Sequence, residues 1–74
     1  MPTPREHERF CRRDGWERVR GKGKHHKYYR KVMPDGSVKE TQISHGNKEY
    51  SPGMWRMILK KQLQVTEDYF NKIK

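Results

Sequence analysis

The chain has one cysteine, Cys11, among its 74 residues, which excludes an internal disulfide framework and suits a reducing compartment. No apolar run approaches membrane-spanning length, and the opening MPTPREHERF lacks the apolar centre of a secretory signal. The expectation is a soluble, cytoplasmic protein. Apolar residues are also scarce, at 30%, so the core is thin and stability marginal. The length allows one domain, 1–74, and neither a repeat nor a linker interrupts it. Acids are outnumbered, nine against eighteen bases, for a formal charge of +9. A positive field on so small a body points to polyanionic partners: RNA, DNA or an acidic protein ahead of an anionic membrane, and no membrane partner is expected.

Against disorder stand eight aromatic residues and a series of capping and turn signals. Thr3-Pro4-Arg5-Glu6 has the pattern of a capping box with proline at the first helical position, and Asp14-Gly15 ends that helix. His7, Phe10 and Cys11 share one helical face. The i, i+4 spacing of His7 and Cys11 would suit two metal ligands, but no second pair matches it, so packing is the better reading. Residues 16–20 and His25 to Met33 read as strands, Pro34-Asp35-Gly36 as a turn, and Val38 to Ser44 as the returning strand. Ser51 and Pro52 mark the start of a second helix, with Tyr50 able to pack on Trp55. Trp55, Ile58, Leu59 and Leu63 form its apolar stripe, with Arg56, Lys60 and Lys61 outside it. Thr66 caps a final turn or two in which Tyr69, Phe70 and Ile73 pack down. The order is α-β-β-β-α, an α+β fold.

The stretch GKGKHHKYYRK, residues 21–31, lies within a run from Arg18 to Lys31 that holds seven bases and no acid. An isolated charge run is usually a solvated face, but interleaved aromatics and histidines favour a binding surface. Neighbouring side chains on a strand point to opposite faces, so His25 and His26 cannot together hold one metal ion. Val32 and Tyr28 look the better core candidates. That assigns His26, Tyr28, Arg30 and Val32 to the core, and His25, Lys27, Tyr29 and Lys31 to the solvent or RNA face. Lysines crowding a histidine disfavour the imidazolium, leaving a ring able to accept a proton. Beside cations, such a base can remove the 2′-OH proton of RNA and promote cleavage without a metal. A histidine that merely hydrogen-bonds a phosphate in a non-catalytic RNA binder fits the residues equally well.

Taken in order, Gly15-Trp16-Glu17-Arg18-Val19-Arg20, Gly23-Lys24-His25-His26, Pro34-Asp35-Gly36, His45-Gly46 with Glu49, Pro52-Gly53-Met54-Trp55, Ile58-Leu59 and Val65-Thr66-Glu67-Asp68-Tyr69-Phe70 give the chain a family likeness. It resembles the HicA-like mRNA interferase toxins of type II toxin–antitoxin modules over about 60 residues. The resemblance implies a double-stranded-RNA-binding-domain-like fold, three antiparallel strands with helices on one face. It also implies metal-independent cleavage of mRNA with no cofactor, and inhibition by an acidic HicB-like antitoxin. The family's catalytic histidine corresponds to His25. Lys22, Lys24, Lys27, Tyr29, Lys31 and His45 are then the expected RNA-binding residues.

Overall fold

A computed structural model of the chain describes residues 2–19, 26–44, 46 and 48–74, with His26 described by its backbone alone. The element order is helix α1 (Pro4–Arg13), strands β1 (Glu17–Val19), β2 (His26–Val32) and β3 (Val38–Ser44), helix α2 (Pro52–Met57), a π-helical segment (Ile58–Leu63) and helix α3 (Glu67–Ile73). The strands form one antiparallel sheet in the order β1-β2-β3, with the helices on one face. This is the α+β, double-stranded-RNA-binding-domain-like arrangement that the sequence implies.

The ends of the elements follow local chemistry. The Thr3 hydroxyl accepts from the Glu6 N–H, and the Glu6 carboxylate accepts from the Thr3 N–H, closing the capping box of α1. Gly15 leaves that helix at φ +81°, and Gly36 closes the β2–β3 hairpin at φ +89°, left-handed conformations that disfavour other residues. Ser51 and Thr66 cap α2 and α3 by accepting from the Met54 and Tyr69 N–H groups. The core gathers Phe10, Trp16, Tyr29, Ile43, Tyr50, Trp55, Ile58, Leu63 and Phe70. Trp55 is its hub: Tyr50 stacks on it at 6.0 Å, and Phe70 meets it edge-on at 4.5 Å. Tyr69, expected to pack down, is partly exposed instead, and its hydroxyl donates to Asp14 at 2.5 Å.

The face assignment of the sheet is the main correction. Tyr29 is only 3% exposed and lies under the helices, while Val32 and Val38, opposite one another near the hairpin tip, are 59% and 51% exposed. Lys27, Tyr29 and Lys31 therefore point toward the helices, and Arg30 and Val32 away from them. The cause is the set of acids on the α1 side. Glu8 receives the Tyr29 hydroxyl at 2.8 Å and lies 3.3 Å from the Lys27 ammonium. Asp14 receives Lys31 at 3.1 Å and the Trp16 indole N–H at 3.0 Å. With their charges matched, the lysine stems can lie along the apolar layer.

The second helix also departs from a regular stripe. After Met57 it widens into the π-helical segment, which ends at Gln64 in a left-handed conformation, φ +55°. Gln62, carried on the wide turn, reaches β3. Its Oε1 accepts from the Gln42 N–H at 3.3 Å and from the Thr41 hydroxyl at 2.6 Å. Because the Thr41 proton is committed to Gln62, Thr41 Oγ1 must accept from His7 Nε2, 2.9 Å away. His7 Nδ1 must then accept from the Tyr50 hydroxyl at 2.8 Å. A one-way chain, Tyr50 to His7 to Thr41 to Gln62, thus joins α1, β3, the π-helical segment and the loop before α2. Both ring nitrogens of His7 serve this chain, so packing accounts for the His7/Cys11 pair, and burial pushes the Cys11 thiol up. Burial also lifts the Tyr50 phenol to about 12, against hydrogen bonds from Ser44.

The chain requires a neutral His7, and burial holds its pKa at about 4 against an ordinary 6.5. The unfolded chain therefore takes up this proton near pH 6.5 and the folded chain only near pH 4. The stabilisation is complete above 6.5 and is lost progressively as the pH falls toward 4. The loss is roughly 3 kcal/mol in full, of which about 2 kcal/mol has occurred by about pH 5. Urea midpoints measured between pH 7.5 and 5 are expected to fall for the parent chain and to stay nearly level for His7→Gln.

Candidate functional site

The hairpin end that carries His26 and Ser44, paired across β2 and β3, abuts the first turns of α1. Between them lies an open groove of about 240 Å³. Pro4, Arg5 and Glu8 line it from the helix, Lys27 and Ile43 from the sheet, and Ser44 and Gly46 from the strand end. The capping box fixes the start of α1 and so sets the wall that presents Arg5 and Glu8. The Lys27↔Ile43 pairing sets the opposite wall, because both residues point toward the helices.

Glu8 organises the electrostatics. Burial raises its carboxyl, but hydrogen bonds from Tyr29 and Lys27 and the charges of Lys27 and Arg12 outweigh that effect, and its pKa lies below the ordinary glutamate value. It is ionised at neutral pH and pairs with Lys27 at the groove wall. Burial and Glu8 together raise the Tyr29 phenol, which serves as a hydrogen-bond donor. Arg5, which also lines the groove, has no ion pair among the described residues.

The structure brings only some of the sequence-derived candidates to this groove. Lys27 lines it. Tyr29 sits beneath it, buried and bound to Glu8, and Lys31 lies toward the other end of the sheet on Asp14, so neither presents a free polar group to solvent as expected. His25, Lys22, Lys24 and His45 lie outside the described residues. In the sequence, Lys27 is two positions from His25, and Ser44 and Gly46 flank His45. Sequence reasoning missed Glu8. The usable signal was the acid-free run from Arg18 to Lys31, whose inward-facing bases need counter-charges, and α1 supplies Glu8 and its end residue Asp14.

Among the described residues no group of histidine, cysteine and carboxylate side chains is arranged to hold a metal ion, and no helix is long and apolar enough to cross a membrane. No curated protein and no solved structure matches the chain significantly. The family description "HicA toxin of bacterial toxin-antitoxin" matches residues 4–65, from the first residue of α1 past the end of the π-helical segment. That span takes in α1, the whole sheet, the groove and the Trp55 hub, and on it the chain belongs to the HicA toxin family of bacterial toxin–antitoxin systems.

Proposed function

We propose that the chain is a metal-independent endoribonuclease toxin that cleaves mRNA in the cytoplasm, and so halts translation, with His25 as the general base. The observation that carries this reading is the groove between α1 and the hairpin end, whose sheet-side lining residues Lys27, Ile43, Ser44 and Gly46 lie within two positions of His25 or His45 in the sequence. In the proposed reaction His25 takes the proton of a ribose 2′-OH. The 2′-oxygen forms a bond to the adjacent phosphorus, the bond from phosphorus to the 5′-oxygen breaks, and the leaving oxygen takes a proton from solvent. Lys22, Lys24 and Lys27 stabilise the charge gathered on the phosphoryl oxygens, and His45 contributes a further phosphate contact. Tyr29 acts indirectly, by holding Glu8 so that Lys27 stays at the groove wall. An acidic, HicB-like antitoxin covers the groove and meets these cations with carboxylates. Charge steering makes that association fast and salt-sensitive.

Incubation of the purified chain with single-stranded RNA in excess EDTA tests the reading. Cleavage to fragments ending in a 2′,3′-cyclic phosphate is the expected result. Intact RNA bound to the protein would instead leave a non-catalytic RNA binder of the same fold.

A further inference from the structure

The described bases fall into two sets. Lys27 and Arg12 pair with Glu8, Lys31 with Asp14, Arg30 with Glu17 and Lys74 with Glu6, while Arg9 and Arg13 donate to the main-chain oxygen of Lys74. Arg56, Lys60 and Lys61 have no such partner among the described residues; Arg5, Arg18, Lys48 and Lys72 also have none there, but they are scattered along the sequence. Their segment offers none: from Tyr50 to Thr66 the sequence contains three bases and no acid. Helices that only need solubility commonly interleave glutamates four residues from their lysines, and this one does not.

The backbone gathers these charges. Trp55, Ile58, Leu59 and Leu63 are buried, and Arg56, Lys60 and Lys61 are exposed on the other side. A π-helical turn rotates successive residues less than an α-helix does, which keeps the buried stripe narrow and the cations together on the opposite side. Arg56 and Lys60 lie about 6 Å apart along the axis. That rise is comparable to the separation of neighbouring phosphates on one nucleic-acid strand. Resting on the reading of the chain as an RNA-cleaving toxin, we propose that Arg56, Lys60 and Lys61 form a second contact for the RNA backbone. The solvent face of α2 and the π-helical segment would then hold phosphates of the strand whose scissile bond sits at the groove. It reads charge and spacing, not bases, and adds affinity without touching the reacting atoms. Met54 and Met57 are exposed on the same helix and would equally suit the apolar side chains of a protein partner. The phosphate-like spacing of the cations favours RNA.

The test is fluorescence anisotropy with a labelled single-stranded RNA in a His25→Ala background, which keeps the probe intact, over a series of salt concentrations. The triple variant Arg56→Gln/Lys60→Gln/Lys61→Gln is expected to bind at least about tenfold more weakly at about 0.1 M salt. Its log K against log salt should flatten by about 2, at roughly 0.7 per single-strand phosphate contact. Lys72→Gln on α3, an equal charge loss per residue, should leave the slope unchanged. Circular dichroism melts confirm that each variant folds. An unchanged slope and affinity in the triple variant overturns the proposal and assigns the face to a protein partner. A slope that falls equally per charge in Lys72→Gln overturns it in favour of a diffuse field. Absence of cleavage both in EDTA and with added divalent metal, with the slope change present, would sink the ribonuclease reading and leave the α2 face as a backbone contact for bound RNA.

Discussion

His25→Ala is expected to cleave RNA roughly 10²–10⁴-fold more slowly than the parent chain, the usual worth of a positioned proton-transfer group. Binding should change little, because the variant keeps every lysine and arginine that meets phosphate. Single-turnover cleavage at saturating RNA separates the two quantities. Replacing Lys24 and Lys27 together should have the opposite emphasis, with weaker binding, a shallower salt dependence and chemistry surviving at saturation. His26→Ala, the neighbouring histidine, is the internal control. In a bacterial host, induced expression should arrest growth and deplete mRNA with the parent chain and not with His25→Ala. A parent rate in His25→Ala with the loss transferred to His26→Ala would move the base by one position. Parent rates in both variants and in His45→Ala would remove histidine catalysis.

Trp55→Ala is expected to cost about 3–5 kcal/mol, enough to unfold most of so small a domain at room temperature. The indole is 2% exposed, stacked on Tyr50, edge-on to Phe70 and 6.3 Å from the His7 ring. Its loss would open a cavity where α1, α2, α3 and the Tyr50 loop meet, and would loosen the hydrogen-bond chain through His7. Trp55→Phe should cost much less. It keeps most of the apolar volume and removes an indole N–H that is buried without a hydrogen-bond partner. Urea denaturation followed by far-UV circular dichroism measures both. A cooperative transition in Trp55→Ala close to the parent's would show that the core lies elsewhere.

The helix and turn boundaries were legible because they rest on short-range chemistry. The Thr3 box, Ser51-Pro52, Thr66, Gly15 and Gly36 each act within a few residues, and each appears where its side chain or φ angle predicts. The sheet's inward face was not legible. Lys27-Tyr29-Lys31 and Tyr28-Arg30-Val32 are both mixtures of apolar and charged residues. The choice between them depends on Glu8 and Asp14, acids well over ten positions away that match the lysines only once α1 is packed. The π-helical segment was hidden for a similar reason. The spacing of Trp55, Ile58, Leu59 and Leu63 also satisfies a regular helix, and the wider turn accompanies bonds from Gln62 to another element. Of the candidate site, Lys27 was placed at the groove by its position next to the histidine pair. Glu8 was hidden because its partners come from a different element.

The direction of the hydrogen bonds from Tyr50 to Gln62 also bears on how acid–base measurements on this chain are to be assigned. Of its four histidines, His7 is fixed as a single tautomer, protonated on Nε2, with both nitrogens engaged in the interior. Its titration near pH 4 lies well outside the range in which an exposed imidazole changes charge. An inflection near neutrality in the cleavage rate, or a ring resonance moving in that range, therefore does not belong to His7. The interior of the fold thus removes one of the four histidines from the assignment.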